Sequence, residues 1–171
     1  MNETRLVKIS KFLSKHLRHD PEGLGLTLAP GGWVVVDDLL AACARRGFGL
    51  PRAEMEEVVA QNSKQRFSFD EAGARIRANQ GHSVEVDLQL APSAPPAVLY
   101  HGTGRLTAGI IGREGLEKMR RHPVRPVIFA VDAAAMASAG HLFFRSDNGV
   151  WLTEAVPPGF LSLYAPPPPR T

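Results

Sequence analysis

Apolar residues recur at three- and four-residue spacing near the start of the chain. The recurring positions are Leu6, Ile9, Leu13 and Leu17. This spacing puts one apolar stripe on the face of an α-helix. Because the residue before a proline is disfavoured in helical conformation, we expect the helix to stop before Pro21.

The pattern that follows predicts a short strand and two more helices. Residues 33–36 are a β-branched run behind a tryptophan, and Asp37 is a candidate N-cap for a helix that runs through Arg46. Gly47 is a suitable terminator of that helix. Pro51 suits the first turn of a third helix.

A hairpin is predicted next, with strands at 66–69 and 75–78 joined by a turn at 70–73. Three helices followed by a hairpin predict a winged-helix-like lobe. Apolar and polar residues then alternate over 84–90, which predicts a half-buried strand that closes this lobe. The lobe therefore spans residues 1–90.

The segment 91–97 is rich in proline and is predicted to be a semi-rigid linker. A second, strand-rich lobe is expected over 98–164. Its predicted elements are an extended stretch at 98–100, a helical stretch near 113–120, a strand at 127–131, an alanine-rich helix starting at Asp132 and a hairpin turn at Asn148-Gly149. Residues 165–171, with four consecutive prolines, are predicted to be a disordered tail. The fold class is α+β.

Composition narrows the class of protein. The chain has 171 residues, a formal net charge of +3 and one cysteine, Cys43, in a leucine- and alanine-rich stretch where a packed, reduced thiol is expected. No apolar run approaches the ~20 residues needed to cross a bilayer. We therefore expect a cytoplasmic protein that does not enter membranes, and no surplus apolar stripe calls for an oligomer.

Charge is distributed unevenly within the first lobe. Its 12 Lys and Arg residues are balanced by 12 Asp and Glu residues, but the first eighteen positions carry five cations against Glu3 alone. These cations are Arg5, Lys8, Lys11, Lys15 and Arg18. A solvated helix face explains such a run as well as a nucleic-acid partner does.

Three short stretches carry side chains suited to chemistry. Arg18 and His19 follow the apolar stripe, where cations also complement the helix dipole. The stretch 75–83 concentrates guanidinium, amide, imidazole and hydroxyl groups around a glycine, which is what an oxyanion and nearby sugar hydroxyls require, although a polar loop has the same composition. Lys64 and Arg66 add two cations just before the hairpin.

The stretch Tyr100-His101-Gly102-Thr103 is expected at a strand end, a usual place for ligand contact, although a lone histidine there is more often structural. It is not a dinucleotide-binding glycine loop, because Thr107 stands where the third glycine would be. The sequence contains no Walker A motif, no zinc-protease helix and no nucleophile elbow. Metal catalysis has no support.

Six strings, taken in order, resemble the RNA 2′-phosphotransferase family involved in tRNA splicing. They are LSKHLRHDP, GWVVVDDLL, SKQRFSF, RIRANQGHS, YHGT and NGVWLTEAVPPGF. The resemblance runs from about Ile9 to Phe160. It implies a winged-helix-type RNA lobe joined to a lobe of ADP-ribosyltransferase type, with the active site in the cleft between them.

The resemblance also implies a reaction. The 2′-phosphate of the RNA attacks the nicotinamide ribose of NAD and expels nicotinamide, and the ribose 2″-hydroxyl then attacks the phosphorus. The products are RNA with a 2′-hydroxyl, ADP-ribose 1″,2″-cyclic phosphate and nicotinamide. NAD is consumed as a co-substrate, the partner is a tRNA-like RNA with an internal 2′-phosphate, and no metal takes part.

The matching positions give expected roles. Arg18, His19 and Arg77 match catalytic residues of the family. The NAD-binding string corresponds to His101, Gly102 and Thr103. Contacts to the 2′-phosphate or the adjacent RNA are expected from Lys64, Arg66, Gln80, His82 and Ser83.

The sequence departs from the family pattern after residue 116. The segment 119–122 runs almost at once into the strand expected at 127, so about 15 to 20 residues that the family usually has are missing. That segment supplies NAD contacts and a further catalytic arginine in the family, for which Arg121 or Arg125 could substitute.

Two other functions remain open at this stage. One is a non-catalytic winged-helix module that binds RNA or DNA, which predicts salt-sensitive binding without NAD consumption. The other is an ADP-ribosyltransferase with another acceptor, which predicts ADP-ribose left on that acceptor and no cyclic phosphate.

Overall fold

A computed structural model describes residues 1–103 and 127–164 of the chain. The chain divides into two compact units, Met1–Leu90 and Ala91–Thr171. Each described part contains helices and strands, so the fold is mixed, as the α+β class requires.

Helix α1 of the first unit covers Glu3–Arg18, as the apolar spacing predicts, and Asn2 caps it by accepting a 2.8 Å hydrogen bond from the backbone N–H of Arg5. Helix α2 covers Val36–Arg45 and helix α3 covers Arg52–Gln61. The prediction that Asp37 caps α2 is wrong. Val35 occupies the cap position and Asp37 lies in the first turn, where its negative charge complements the helix dipole.

Three antiparallel strands complete this unit. They are β1 at Trp33–Val35, β2 at Phe67–Phe69 and β3 at Arg75–Ala78, in the order β1-β3-β2. The hairpin β2–β3 therefore lies where the sequence predicts it. The sheet and helices enclose one core, with Ile9, Leu13, Leu17, Leu39, Met55 and Ile76 among its fully buried members. Cys43 is buried in this core as a free thiol, as expected.

The strand predicted at 84–90 does not form. Burial does alternate there, since the even positions are half-buried and the odd positions are exposed. The segment pairs with no strand, however, and takes part in isolated backbone hydrogen bonds instead: the N–H of Gly31 donates to the carbonyl of Asp87 at 2.8 Å, and the N–H of Val84 donates to the carbonyl of Arg18 at 3.4 Å. Alternating burial shows that one face of the segment is covered. A β-strand also requires a series of backbone hydrogen bonds to an adjacent strand.

The second unit contains a sheet of three strands in the order β4-β5-β8. The elements are β4 at Val98–Thr103, β5 at Val127–Asp132, α4 at Ala133–Ser138, β6 at Phe144–Arg145, β7 at Trp151–Leu152 and β8 at Leu161–Leu163. Asp132 caps α4 through a 2.9 Å hydrogen bond from the N–H of Ala135. Gly149 adopts φ +78° in the turn between β6 and β7.

The proline-rich segment belongs to the second unit. Pro92 forms an isolated β-bridge with Phe144, and the N–H of Ser93 donates to the carbonyl of Phe143. The predictions for a helix near 113–120 and for the tail 165–171 lie outside the described residues. Among the residues that are described, no helix has the length and apolar character needed to span a bilayer.

Candidate functional site

Arg18 is the last residue of α1, and its side chain is buried with 8% of the residue exposed. Its Nη2 donates a 3.3 Å hydrogen bond to the carbonyl of Arg66, and its guanidinium lies 5.8 Å from the centre of the Phe67 ring. The side chain is thus directed to the turn before β2. Capping of its own helix does not account for the position of this guanidinium.

Gly81 lies beside Arg18 in the loop after β3, in a backbone conformation that favours glycine. A Cβ atom at position 81 would lie 3.5 Å from Nη1 of Arg18, and Gly81 adopts φ +84°. This left-handed conformation is strained for residues with a side chain. The backbone conformation at position 81 therefore explains why the string RIRANQGHS contains a glycine there.

The positive charge of Arg18 is not compensated. Among the residues that the structure describes, no carboxylate forms a salt bridge with Arg18 or Arg66. Burial, with a smaller contribution from the nearby charge of Arg66, lowers the pKa of Arg18 to about 10. Arg18 still carries its charge at neutral pH, so an anion bound beside these two guanidiniums would be stabilised.

His19 lies at the end of α1 and is exposed. Its Nδ1 is 2.9 Å from the hydroxyl oxygen of Ser83, and the N–H of Ser83 donates to the carbonyl of Arg18. Ser83 therefore ties the loop after β3 to the end of α1. A histidine whose Nδ1 is engaged in this way presents Nε2 to solvent or to a ligand.

Two asparagines hold the turn that contains Lys64 and Arg66. The side-chain oxygen of Asn62 accepts from the N–H of Lys64 at 3.1 Å and from Nη1 of Arg66 at 3.2 Å. The amide of Asn79 donates to the carbonyl of Gln65 at 2.7 Å. Both asparagines are buried, and sequence reasoning missed them because the side-chain bonds of an asparagine leave no periodic signal.

His82 lies close to Arg18, His19 and Arg77. Neither of its ring nitrogens has a hydrogen-bond partner among the described residues, and both are buried. Burial, followed by the positive charges of Arg18 and His19, lowers the pKa of His82 to about 4. This imidazole is therefore neutral at physiological pH.

The depressed pKa of His82 predicts a pH-dependent stability. A histidine in the unfolded chain has a pKa near 6.5, so it is protonated below that pH. In the folded protein His82 is not protonated until the pH falls to about 4, so protonation between these values favours the unfolded chain. Stability is thus full above pH 6.5 and falls as the pH drops towards 4. Because the side chain is only partly buried, we expect a loss of about 1–2 kcal/mol in the free energy of unfolding between pH 7 and 5. Urea denaturation of the wild type and of His82→Gln across this pH range measures the loss. The prediction would be contradicted if the free energy of unfolding changed with pH equally in both proteins.

Arg77 sits on the same face of β3 as Arg75, with Ile76 on the other face, as the alternation predicts. Its guanidinium lies 4.6 Å from the Trp33 ring centre, and Nη1 donates to the carbonyl of Gly31 at 3.3 Å. Arg77 lies near His82. Arg66, by contrast, is the residue whose charge affects the pKa of Arg18.

The remaining predicted residues are placed as follows. Gln80 is half-buried beside Gly81. His101 and Gly102 lie in β4, opposite Phe129 and Ile128 of β5, and Thr103 ends the strand opposite Val127. Arg121 and Arg125 lie outside the described residues.

Comparison with known proteins identifies the family. A sequence model described as RNA 2′-phosphotransferase, Tpt1 / KptA family, matches residues 4–126. The chain belongs to this family. It is therefore a member of a family of transferases.

Individual relatives of the RNA 2′-phosphotransferase family are similar over nearly their whole length. A protein of Trichormus variabilis named "Probable RNA 2'-phosphotransferase" is 56% identical, with 95% of this chain and 99% of the relative covered. Proteins of Nostoc punctiforme and Streptomyces griseus with the same name are 54% and 51% identical, covering 94% and 95% of this chain and 98% and 99% of those relatives.

These alignments bear on the shortened segment. The alignment with the Trichormus protein has 180 positions, and 95% of a 171-residue chain is about 162 residues, so about 18 positions hold no residue of this chain. This size agrees with the 15 to 20 residues expected from the sequence. The family match ends at residue 126, just after the segment where the shortening is expected.

Proposed function

We propose that this chain is an NAD-dependent RNA 2′-phosphotransferase, which transfers an internal 2′-phosphate of RNA to the ADP-ribose part of NAD. The observation that carries the proposal is the cation pair of Arg18 and Arg66 next to His19, with which no carboxylate of the described residues forms a salt bridge. Family membership supports the class of reaction, and the resemblance described under the sequence analysis implies NAD as the co-substrate.

The phosphate site is proposed at this cation pair. A phosphate dianion accepts paired hydrogen bonds from guanidinium groups, which stay protonated throughout a reaction. Nε2 of the exposed His19 is available for the same phosphate, because Nδ1 is engaged with Ser83. We assign Arg18, His19 and Arg66 to direct phosphate contact and keep Arg77 as a candidate on the other side of His82.

The resemblance to the family implies two chemical steps at this site. In the first, a phosphate oxygen forms a bond to the anomeric carbon of the nicotinamide ribose, and the bond to nicotinamide breaks. In the second, the ribose 2″-hydroxyl forms a bond to phosphorus, and the RNA 2′-oxygen leaves with a proton. Arginines orient the phosphate for the first step and stabilise its negative charge in the second. We propose His19 as the group that exchanges this proton.

Other residues have proposed supporting roles. Ser83 fixes the ring of His19, and neutral His82 fills the space beside Arg18 without adding a competing charge. Lys64 and Gln80 are proposed to contact the adjacent RNA. The first unit, with three helices and a three-stranded sheet, is proposed to be a winged-helix-like RNA lobe.

NAD is proposed to bind the second unit. The string of His101, Gly102 and Thr103 on β4 supports this by its resemblance to the family's NAD-binding string. We propose that this unit is an ADP-ribosyltransferase-like lobe.

The test is a turnover assay. The protein is incubated with NAD and an oligonucleotide with one internal 2′-phosphate, and the expected products are 2′-hydroxyl RNA, ADP-ribose 1″,2″-cyclic phosphate and nicotinamide. ADP-ribose that stays on the acceptor would indicate an ADP-ribosyltransferase. Salt-sensitive RNA binding with no nicotinamide release would indicate a non-catalytic binding module.

A further inference from the structure

A groove runs along one side of α1. From the helix it is lined by Lys11, Lys15 and His19, and from the facing segment by Asn62, Ser63 and Arg66. Its volume is about 440 Å³. We call it the α1 groove.

The α1 groove begins at the proposed phosphate site, because His19 and Arg66 belong to both. It extends along the helix to Leu6 and Val7. Thirteen residues of α-helix rise about 20 Å, so the groove is long enough for more than one phosphate of a nucleic-acid strand.

The charge of the α1 groove suits a polyanion. Lys11 and Lys15 lie one helical turn apart with exposed side chains, and no acidic residue is among the residues that line the groove. Lys15 forms a 3.3 Å salt bridge with Asp20, in which both side chains are largely exposed. Such a pair contributes little to stability, so the lysine can turn to another anion.

A second cavity on the other side of His19 differs in charge. It has a volume of about 380 Å³, and its lining includes Asp20, Glu22 and Glu85. These carboxylates repel a phosphate backbone, whereas the α1 groove attracts one. The direction in which a strand can leave the phosphate site is therefore set by charge.

We propose that the α1 groove binds the single-stranded RNA backbone on one side of the nucleotide that carries the 2′-phosphate, with Lys11 and Lys15 at backbone phosphates. The inference rests on the proposed function, since it takes the phosphate site at Arg18 and Arg66 as its starting point. The serine and lysine side chains offer donors to phosphate and ribose oxygens without selecting a base. Affinity should therefore depend on strand length and salt more than on sequence.

The test uses binding and turnover with three RNAs. They are a 2′-phosphorylated dinucleotide and the same dinucleotide with a short unphosphorylated extension on its 5′ or its 3′ side. Fluorescence anisotropy without NAD measures Kd, and the NAD assay measures KM. We expect one of the two extensions to lower Kd by about tenfold. The Lys11→Ala/Lys15→Ala variant should lose this gain. In that variant the slope of log K against log salt concentration should also become shallower by about 1.4, because two phosphate contacts are removed.

Lys8→Ala is the matched control, because Lys8 is exposed on α1 but lies near Phe48 and does not line the groove. It should keep the full gain from the extension. Equal affinities for all three RNAs, or an equal loss in the Lys8 variant, would overturn the groove assignment even if the dinucleotide is turned over. Failure of all three RNAs to react would overturn the proposed function, and the binding measurement would still decide the groove. An acidic peptide that competes as well as the extended RNA would point to a protein occupant instead.

Discussion

Replacing Arg18 by alanine is expected to lower kcat for removal of the 2′-phosphate by on the order of a hundredfold or more. The guanidinium is buried beside Arg66 with no carboxylate partner among the described residues, so its charge is available to the substrate. Alanine removes a donor that orients the phosphate in the first step and stabilises its charge in the second. The measurement is single-turnover release of nicotinamide and formation of the 2′-hydroxyl RNA.

Because Arg18 is buried, the alanine variant must be shown to be folded. Circular dichroism and urea denaturation provide that control, and Arg18→Lys provides a second variant. Lysine keeps the charge but cannot form the paired, planar hydrogen bonds of a guanidinium, so we expect it to recover only part of the lost rate. Full turnover in a folded Arg18→Ala protein would refute the assignment of the phosphate site.

The helices and the hairpin of the first unit could be predicted because local pattern and packing agree there. The spacing of Leu6, Ile9, Leu13 and Leu17 gives one apolar stripe, and the last three of these are fully buried in the core. The segment 84–90 shows the opposite case. Its alternating burial is real, but a strand depends on hydrogen bonds to a neighbour, which the local pattern does not contain.

The site was predictable in its residue types and less so in its geometry. The strings that contain Arg18, His19 and Ser83 predicted three residues that the fold does bring together. The contact between His19 and Ser83 joins positions that are 64 residues apart in the sequence. Which arginine faces Arg18 depends on the turn before β2, and that turn is fixed by Asn62 and Asn79. Long-range bonds of single asparagines have no signature in one sequence.

The choice between Arg66 and Arg77 as the second phosphate ligand gives the last prediction. Arg66→Ala is expected to lower kcat by on the order of a hundredfold, because we propose its guanidinium, which lines the α1 groove together with His19, as the second donor to the phosphate. Arg77→Ala is expected to reduce kcat less and to destabilise the fold by about 1–3 kcal/mol, since its guanidinium stacks on Trp33 and bonds to the carbonyl of Gly31.

Kinetics and urea denaturation of both variants separate these outcomes, with Arg75→Ala as the control. Arg75 lies on the same face of β3, also near Trp33, but forms an exposed salt bridge with Asp70, so its loss should affect neither kcat nor stability strongly. If Arg77→Ala lost as much kcat as Arg66→Ala while remaining as stable as the wild type, Arg77 would be a phosphate ligand, as the resemblance to the family implies. The two arginines differ in their surroundings. Arg77 is fixed by an indole and a backbone carbonyl and supports the site. Arg66 is held by Asn62 beside the buried Arg18, with no carboxylate partner among the described residues, so we expect it to bind an anion.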